Sequence, residues 1–398
     1  MLFKGIKVIE MGQFIFIPYC GVHLADFGAE VTKIENPGTG DSLRAGGAGH
    51  LPIYDFNYVF ENNNRNKKSM AVDVDTKEGQ SIIHKLVERS DVFTTNYRMN
   101  ALKATKMDYD TLSKINPRLI YAWGTGWGLQ GPDKDVGAFD YSAWARSGLM
   151  SSMGEEDSPV VQCEPGFGDH ISAMALSFAI ASALYHRERT GEGQLVSASL
   201  WGCLLDVGSM NLQSALSTND EVRRKTRKDT SNPLCNNYCS KDGKWFQIAS
   251  KQSDKNWPDL CKSIGLEAIV SDQRFNSHIK RQQNAKEVIS ILDKAFATKT
   301  FSEIQQAFKG RNVHWAPMES YFEITRDPQA YANGYIVESE HRQRGPMKVT
   351  GEPIFMSKTP PKIAAGTPEL GEHTEEMLLE LDYSWEDIAQ FKEKKVIA

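Results

Sequence analysis

Several features that mark whole classes of protein are missing from this sequence. The most apolar segment, residues 171–184, is interrupted by three serines and falls short of the roughly 18 apolar residues that cross a membrane. Basic residues are not in excess, since 46 Lys and Arg stand against 51 Asp and Glu. The first residues, MLFKGIKVIEM, carry lysines inside a short apolar run, unlike a secretory signal. We therefore expect a cytoplasmic protein that binds neither membranes nor nucleic acids.

Metal and dinucleotide sites also lack their usual motifs. The six cysteines are scattered, and the pair Cys235 and Cys239 is not followed by a second Cys or His pair at zinc-finger spacing. The turn after the first apolar run, EMGQFIFIP, lacks the G-x-G-x-x-G pattern whose glycines let a backbone approach a pyrophosphate. The sequence thus predicts no metal site and no nicotinamide or flavin cofactor. The cysteines are predicted to be small buried residues.

The first 200 residues alternate between short strand-like runs and helix-like segments. Residues 77–90, KEGQSIIHKLVERS, have the apolar spacing of an amphipathic helix, and another helix pattern covers residues 18–27. This alternation predicts an α/β protein with an open, Rossmann-like, mainly parallel sheet. The predicted strands are residues 5–10, 30–35, 70–74, 92–95 and 119–123.

The length of 398 residues exceeds the size of about 250 to 300 residues at which one core usually divides into domains. We expect a large domain over residues 1–216 and, after a polar linker at 217–229, a smaller α+β domain over 230–335. Within the smaller domain, the segment around KDGKW is typical of a β-hairpin. Residues 336–398 are predicted to return to the large domain, where their C-terminal helices pack.

A glycine-rich turn leads directly into an acidic residue in the segment PGFGDHISAMALSFAIASALYH. Gly166 and Gly168 precede Asp169, which is predicted to stand at or next to the start of a long helix. One interpretation is that Asp169 caps the helix by accepting backbone amides. The other is that the positive helix end keeps the carboxylate ionised while the glycines leave amides and open space beside it, as a nucleophile needs. The residues alone leave both interpretations open.

The same segment, together with the HRERTGEGQLVSASL that follows, resembles the nucleophile region of the family III CoA-transferases. The likeness continues along most of the chain, in GIKVIEM, LADFGAEVTKIENPGTGD, NKKSMAVDV, TTNYR, GTGWGLQGPDKD, DPQAYANGYIVE and GEHTEEMLLEL. It implies that Asp169 is the catalytic nucleophile, with Gly166 and Gly168 supplying amides. It further implies that CoA passes from an acyl-CoA to a free carboxylic acid through an aspartyl acyl anhydride and an aspartyl-CoA thioester.

The resemblance also places coenzyme A on loops beside the early strands. A single surface cation is more often simply solvated, but loops at the carboxyl ends of parallel strands are where ligands collect. Cationic side chains there suit the phosphates of CoA. The implied CoA contacts are Arg44, Asn66, Lys67, Lys68, Asn96, Tyr97, Arg98 and, more weakly, Lys103 and Lys106.

Two departures from the family pattern concern the acid that is activated. The linker region reads SNPLCNNY and lacks the glycine-rich lid of formyl-CoA transferase, and Ile15 stands where that enzyme has a substrate-facing Gln. Apolar Ile15 and Phe16 favour an acceptor larger and less polar than oxalate. Phe139 and Tyr141, in GAFDY, are further candidates for the acyl pocket. Together with GPDKD, this segment most resembles the subgroup that activates 2-hydroxy acids or aryl acids, such as 2-hydroxyisocaproate and phenyllactate.

Two other functions compete with the transferase. The α-methylacyl-CoA racemases of the same fold use a His in an AGHD-like motif, but Phe139 occupies that position here and cannot exchange a proton. His170 lies within the first helical turn, where a structural role is favoured over that of a base. A non-catalytic acyl-CoA-binding protein would not need a carboxylate such as Asp169 at a glycine-bounded helix start.

The resemblance finally implies a homodimer whose two chains are interlocked like linked rings. Polar connectors at 217–229 and 336–366 are compatible with it, because they would join the sheet domain to the smaller domain and back again.

Overall fold

The computed structural model describes residues 1–45, 57–224, 226–341 and 345–398. The chain forms two compact units. The first comprises Met1–Met150, Gln162–Thr218 and Pro328–Ala398, and the second comprises Ser151–Val161 and Asn219–Asp327.

The strands and helices follow one another in the alternation that the sequence predicts. The strands are β1 (Lys7–Met11), β2 (Glu30–Glu35), β3 (Lys68–Ala71), β4 (Val92–Thr95), β5 (Ile120–Thr125), β6 (Leu195–Ser199), β7 (Cys235–Cys239), β8 (Trp245–Ala249), β9 (Trp315–Pro317), β10 (Ile336–His341) and β11 (Gly345–Thr350). The helices are α1 (Phe16–Asp26), α2 (Tyr58–Asn64), α3 (Lys77–Glu88), α4 (Met99–Ala104), α5 (Tyr109–Ile115), α6 (Asp140–Arg146), α7 (Leu149–Ser152), α8 (Phe167–Thr190), α9 (Leu200–Val207), α10 (Ser209–Thr218), α11 (Ser253–Ile264), α12 (His278–Gln283), α13 (Ala285–Phe296), α14 (Phe301–Phe308), α15 (Tyr321–Ile324), α16 (Pro328–Ala332), α17 (Thr374–Glu380) and α18 (Trp385–Glu393).

The first unit is built on a six-stranded sheet in the order β3-β2-β1-β4-β5-β6. Every neighbouring pair in it is parallel, so the predicted Rossmann-like sheet is confirmed. Strand order reverses between β1 and β4, and ligands of such sheets bind beside the carboxyl ends of the strands at that point. The fold thus directs attention to the loops that follow β1 and β4.

Alternate side chains of each strand enter two separate cores, one on each face of the sheet. In β1, Val8 packs with α1, α8 and α9, whereas Ile9 packs with α3, α5 and the C-terminal helices. Helix α3 begins where the Thr76 hydroxyl accepts the Gly79 amide at 3.0 Å. Because α17 and α18 bury Leu378 and Ile388 in the second core, the end of the chain is part of the sheet unit.

Helix α8 is the longest element of the first unit and crosses one face of the sheet. Of the helices in the described residues, it alone is long and apolar enough to cross a membrane, a test that core helices of soluble proteins also pass. The helix continues through the serines that interrupt its apolar run, and the Ser177 and Ser182 hydroxyls donate to carbonyls of the preceding turn at 2.8 and 2.9 Å. Its outer side leaves Met174, Phe178 and Tyr185 exposed.

The second unit has its own core. Strands β7, β8 and β9 form an antiparallel sheet, in which β7 and β8 are the hairpin predicted around KDGKW. Phe246, Trp257 and Phe296 are fully buried against helices α11, α13 and α14. Helix α14 begins with a capping box, in which Thr300 and Glu303 exchange hydrogen bonds.

Candidate active site

The loops after β1 and β4 meet at the carboxyl edge of the sheet. The Asn96 side chain accepts the Gln13 amide at 3.1 Å and donates to the Gln13 carbonyl at 2.9 Å. The Gln13 side chain in turn donates to the Tyr97 hydroxyl at 2.9 Å. These bonds bind the two loops together at the point where strand order reverses.

The predicted nucleophile lies at the same edge. Helix α8 leads back into the parallel strand β6, so its first turn stands at the carboxyl ends of the strands. Gly166 adopts φ 79°, a left-handed conformation that glycine takes without strain, and a Cβ there would lie 3.4 Å from Ile15 Cδ1. The turn that carries Asp169 therefore packs beside the loop that follows β1.

Asp169 is not the helix cap that one interpretation of the sequence favoured. The cap is Gly166, and Asp169 is the third residue of α8. Its carboxyl group is half-buried and has no hydrogen bond or ion pair with any other described residue. Burial raises the pKa of Asp169, and the negative charge of Asp140 raises it further, to about 7. Burial and the like charge of Asp140 thus act against the expectation that the positive helix end keeps this carboxylate ionised.

Asp140 is the residue at this site that the sequence analysis missed. It is the first residue of α6, is 5% exposed, and accepts the Gly168 amide on Oδ1 at 3.0 Å. Burial raises the pKa of Asp140 to about 6, although the amides of Gly168, Gly166 and Phe167 oppose that rise. The amide of Gly168 is therefore directed to Asp140, while the predicted oxyanion role of Gly166 stays a prediction.

Aromatic side chains line the surroundings of the turn. Phe14, at φ 65°, meets Phe139 edge-on with ring centroids 5.7 Å apart, and Phe167 meets Trp144 at 5.0 Å. Phe139 is 63% exposed and Tyr141 48% exposed, so both are open to a ligand. Phe16, predicted beside them, is instead buried in the core under α8, because it begins α1 and packs against Gly124. Phe14, which was not among the predicted pocket residues, is half-buried and lies against the exposed Phe139.

His170 belongs to a stack behind Asp169. Its ring lies 4.0 Å from that of Tyr19, and Tyr19 meets the ring of His23 at 4.7 Å. His23 Nδ1 pairs with Glu352 at 2.8 Å, which ties the stack to the segment after β11. Burial lowers the pKa of His170 to about 4, with smaller contributions from His23 and Arg65. A neutral, stacked His170 agrees with the structural role predicted for it.

Lys67 does not stand where a CoA phosphate could reach it, contrary to the prediction. Its ammonium is fully buried and pairs with Glu10 at 2.8 Å. It also donates to the carbonyls of Pro18 and Asn63 at 2.7 and 2.8 Å, and to the Asn64 side chain at 3.1 Å. The Lys67 ammonium therefore donates only to groups of the interior, because the side chain, just before β3, lies against α1.

Three more predicted CoA contacts have intramolecular partners. Arg44 forms a two-point ion pair with Glu35, at 2.7 and 2.8 Å, and lies over the Phe60 ring. Burial alone would raise the pKa of Glu35, but the Arg44 hydrogen bonds and the Lys33 charge bring it down to about 2. Asn66 bonds to Asp26 and to the backbone of residues 362–365, and Lys68 pairs with Glu376.

The remaining predicted CoA contacts lie on the loop and helix after β4. Asn96 and Tyr97 hold the neighbouring loop, as described above, whereas Arg98 is exposed and rests against Gly137. Lys103 and Lys106 are also exposed. Within the described residues, none of these three cations has an ion-pair partner. Of the three, Arg98 is the cation that lies beside the segment leading into α6, through its contact with Gly137.

Residues 3–374 match the family model of CoA-transferase family III. The chain belongs to this family. It is 34% identical to (R)-2-hydroxy-4-methylpentanoate CoA-transferase of Clostridioides difficile, an alignment that covers all of both chains. It is 32% identical to cinnamoyl-CoA:phenyllactate CoA-transferase of Clostridium sporogenes, over 100% of this chain and 97% of the relative.

A solved structure extends the likeness to three dimensions. The crystal structure of a CAIB/BAIF family protein from Brucella suis superposes with a TM-score of 0.84 at 27% identity. The match covers 96% of this chain and 99% of the other. This family III chain is therefore an enzyme of the CoA-transferase class, as its sequence motifs implied.

Proposed function

We propose that this family III enzyme transfers CoA from an acyl-CoA to a 2-hydroxy acid or aryl acid, with Asp169 as the covalent nucleophile. The observation that carries the proposal is the half-buried Asp169 carboxyl at the carboxyl edge of the sheet, unpaired among the described residues and bordered by exposed aromatic rings. A carboxylate that no cation or amide neutralises retains its nucleophilic oxygen.

The reaction follows from the chemistry of exchanging a thiol between two acids. A carboxylate oxygen of Asp169 attacks the thioester carbon, the carbon–sulfur bond breaks, and CoA leaves as the thiolate. The thiolate then attacks the Asp169 carbonyl of the anhydride, which releases the donor acid and leaves an aspartyl-CoA thioester. The acceptor acid repeats these two steps in reverse order, so that no net proton or electron is consumed.

The proposed acid class rests on the side chains near Asp169. Phe14, Ile15 and Phe139 offer apolar surface to an acyl group, and an aromatic or branched group gains about 25 cal/mol per Å² that it buries there. Two relatives are named for 2-hydroxy-4-methylpentanoate and for phenyllactate, acids of this kind. Both facts favour a branched or aryl 2-hydroxy acid over a small dicarboxylate.

The test of the nucleophile is a covalent adduct. After acyl-CoA is added to the wild-type protein, we expect a mass increase on the peptide that contains Asp169, and inactivation by hydroxylamine only in the presence of acyl-CoA. Asp169→Asn should abolish both, and transfer with them, because an amide does not attack the thioester. Retention of substantial turnover by Asp169→Asn would contradict the proposal, and an acyl-CoA-binding protein would show no adduct.

A further inference from the structure

A second carboxylate stands behind the proposed nucleophile, in an environment that is unusual for an acid. Asp140 is 5% exposed, and its Oδ1 accepts the Gly168 amide at 3.0 Å. Its Oδ2 is buried without a hydrogen-bond partner among the described residues. A buried acid with one unsatisfied oxygen is costly to the fold, so its retention calls for an explanation in function.

Glycine is the one residue at position 168 that leaves room for this contact. A Cβ built on Gly168 would lie 2.3 Å from Asp140 Oδ1, and 3.1 Å from Leu204 Cδ1. Any larger residue at position 168 must push the carboxylate away from the amide. The hydrogen bond from the Gly168 amide to the Asp140 carboxylate thus joins the start of α6 to the first turn of α8, and the absence of a side chain at Gly168 makes room for it.

The Gly168–Asp140 hydrogen bond also determines which groups surround Asp169. Free amides in the first turn of a helix attract anions, and an ionised Asp in that turn would ordinarily accept them. Here the Gly168 amide donates to Asp140, and the amides of Gly166 and Phe167 also favour the ionised form of Asp140. The Asp169 carboxyl is left without these amides. The negative charge of Asp140 instead raises its pKa, in addition to the rise that burial causes.

Among the described residues, the titratable groups near this pair supply no compensating positive charge. Cys163, in the segment before α8, has its pKa raised to about 11 by burial and then by Asp140, so it is neutral at pH 7. Glu164 follows it and is acidic. His170 is neutral at pH 7, because burial lowers its pKa to about 4.

We propose that Asp140 is a positioning residue that holds the first turn of α8 by its amides and withholds those amides from Asp169. This inference rests on the proposed function, since it assumes that Asp169 is the nucleophile. Because an oxygen that accepts fewer hydrogen bonds is the stronger nucleophile, Asp140 keeps Asp169 reactive as well as in place. Asp140 itself does not contact the reacting atoms.

Two substitutions separate the charge of Asp140 from its hydrogen bond. Asp140→Asn keeps an oxygen for the Gly168 amide but removes the charge. We expect the wild type to show an acid limb of the kcat/KM profile set by the Asp169 pKa of about 7, and Asp140→Asn to move that limb down by about one pH unit. Asp140→Ala also removes the acceptor, and we expect kcat to fall about 100-fold, because the turn that carries Asp169 is no longer held.

A double-mutant cycle of Gly168→Ala and Asp140→Ala tests the Gly168–Asp140 contact itself. In the wild-type background, Gly168→Ala should lower kcat about as much as Asp140→Ala does, since the added methyl displaces the carboxylate. In the Asp140→Ala background the same methyl should lower kcat less than about threefold, because only the Leu204 methyl, 3.1 Å away, remains to give way. Glu188→Gln, which removes an exposed carboxylate from the last turn of α8, is the matched control and should resemble the wild type.

Melting temperatures show whether each variant folds. If Asp140→Ala does not fold, the isosteric Asp140→Asn decides whether Asp140 is a positioning residue. An unshifted acid limb in folded Asp140→Asn, or additive effects of Gly168→Ala and Asp140→Ala, contradicts the inference. If the wild-type protein forms the Asp169 adduct while the Asp140 variants behave like it, only the positioning role fails. If the wild type forms no adduct on Asp169, the proposed function fails, and this inference with it.

Discussion

At the scale of single residues, the cations of this chain divide between those paired within the protein and those open to solvent. The buried ammonium of Lys67 pairs with Glu10, whereas Arg98 is exposed at the end of β4. Removal of one partner from a buried ion pair costs about 3 to 5 kcal/mol, because the other charge stays buried. We therefore expect Lys67→Ala to lower the melting temperature sharply, a fold defect that is distinct from weaker CoA binding.

Arg98→Ala should give the opposite result, with an unchanged melting temperature and a raised KM for acyl-CoA. Loss of one charged hydrogen bond to a phosphate, about 1.5 to 3 kcal/mol, corresponds to a rise of about 10- to 100-fold. The rise should be much smaller for a pantetheine thioester, which lacks the phosphates. Lys114→Ala is the control, since Lys114 is exposed in the last turn of α5, at the opposite edge of the sheet. Equal rises in KM for both thioesters would show that Arg98 does not bind the CoA phosphates.

At the scale of elements, the loop after β1 and the start of α6 together form the aromatic border of the site. The loop is held in an unusual conformation, because the amide of Phe14, at φ 65°, donates to Asp41 Oδ1 at 3.2 Å, and Asp41 pairs with the buried Lys33. Phe14 is thereby turned edge-on to Phe139. A rigid loop of this kind favours selection among acids by shape and apolar contact.

The prediction at this scale is that Phe139→Ala changes which acids are accepted. With phenyllactate as acceptor, we expect kcat/KM to fall about tenfold, because the acyl group loses the burial that one ring provides. With lactate, which has no large apolar group, the change should stay below about threefold. The measurement is a panel of acids and acyl-CoA donors read by liquid chromatography. Phe355→Ala, at a ring that is 86% exposed in the segment after β11, is the control. An equal fall in kcat/KM for all acids would show that Phe139 supports folding and does not select among acids.

At the scale of the whole molecule, we propose that two chains form the interlocked homodimer that the family resemblance implies. The outer side of α8 supports the proposal, because Met174, Phe178 and Tyr185 are 44%, 74% and 64% exposed on a helix that begins at the turn carrying Asp169. Exposed apolar side chains in such a row are typical of a surface that another protein covers.

Light scattering across a wide dilution series should give a constant mass of about twice 44.6 kDa, since linked rings separate only on unfolding. Phe178→Glu should lower the yield or melting temperature of the dimer, because it buries a charge. Trp385→Glu, on α18 across the sheet, should leave both unchanged. A mass that falls to that of one chain on dilution would rule out interlocking and leave the chemistry at Asp169 unaffected.

The sequence by itself determined the sheet and the position of the glycine-bounded helix start that carries Asp169. Strands at 30–35 and 92–95 appear at the predicted residues, because short apolar runs between turn residues have a local cause. Asp169 was found because glycines and a helix start lie next to it in the sequence, and the family motifs agree with that position. Features of this kind depend on neighbours within a few residues, so the amino-acid sequence alone is enough to predict them.

Only the tertiary structure decided which groups are free and which are paired. Lys67 looks like a surface cation in NRNKKS, but Glu10, 57 residues earlier, pairs with it in the interior. Asp140 looks like an ordinary helix start, but its carboxylate accepts the Gly168 amide, 28 residues later, and its charge raises the pKa of Asp169. The charge state of a carboxylate or an ammonium is set by burial and by charges within a few ångströms, and residues far apart in the chain supply both.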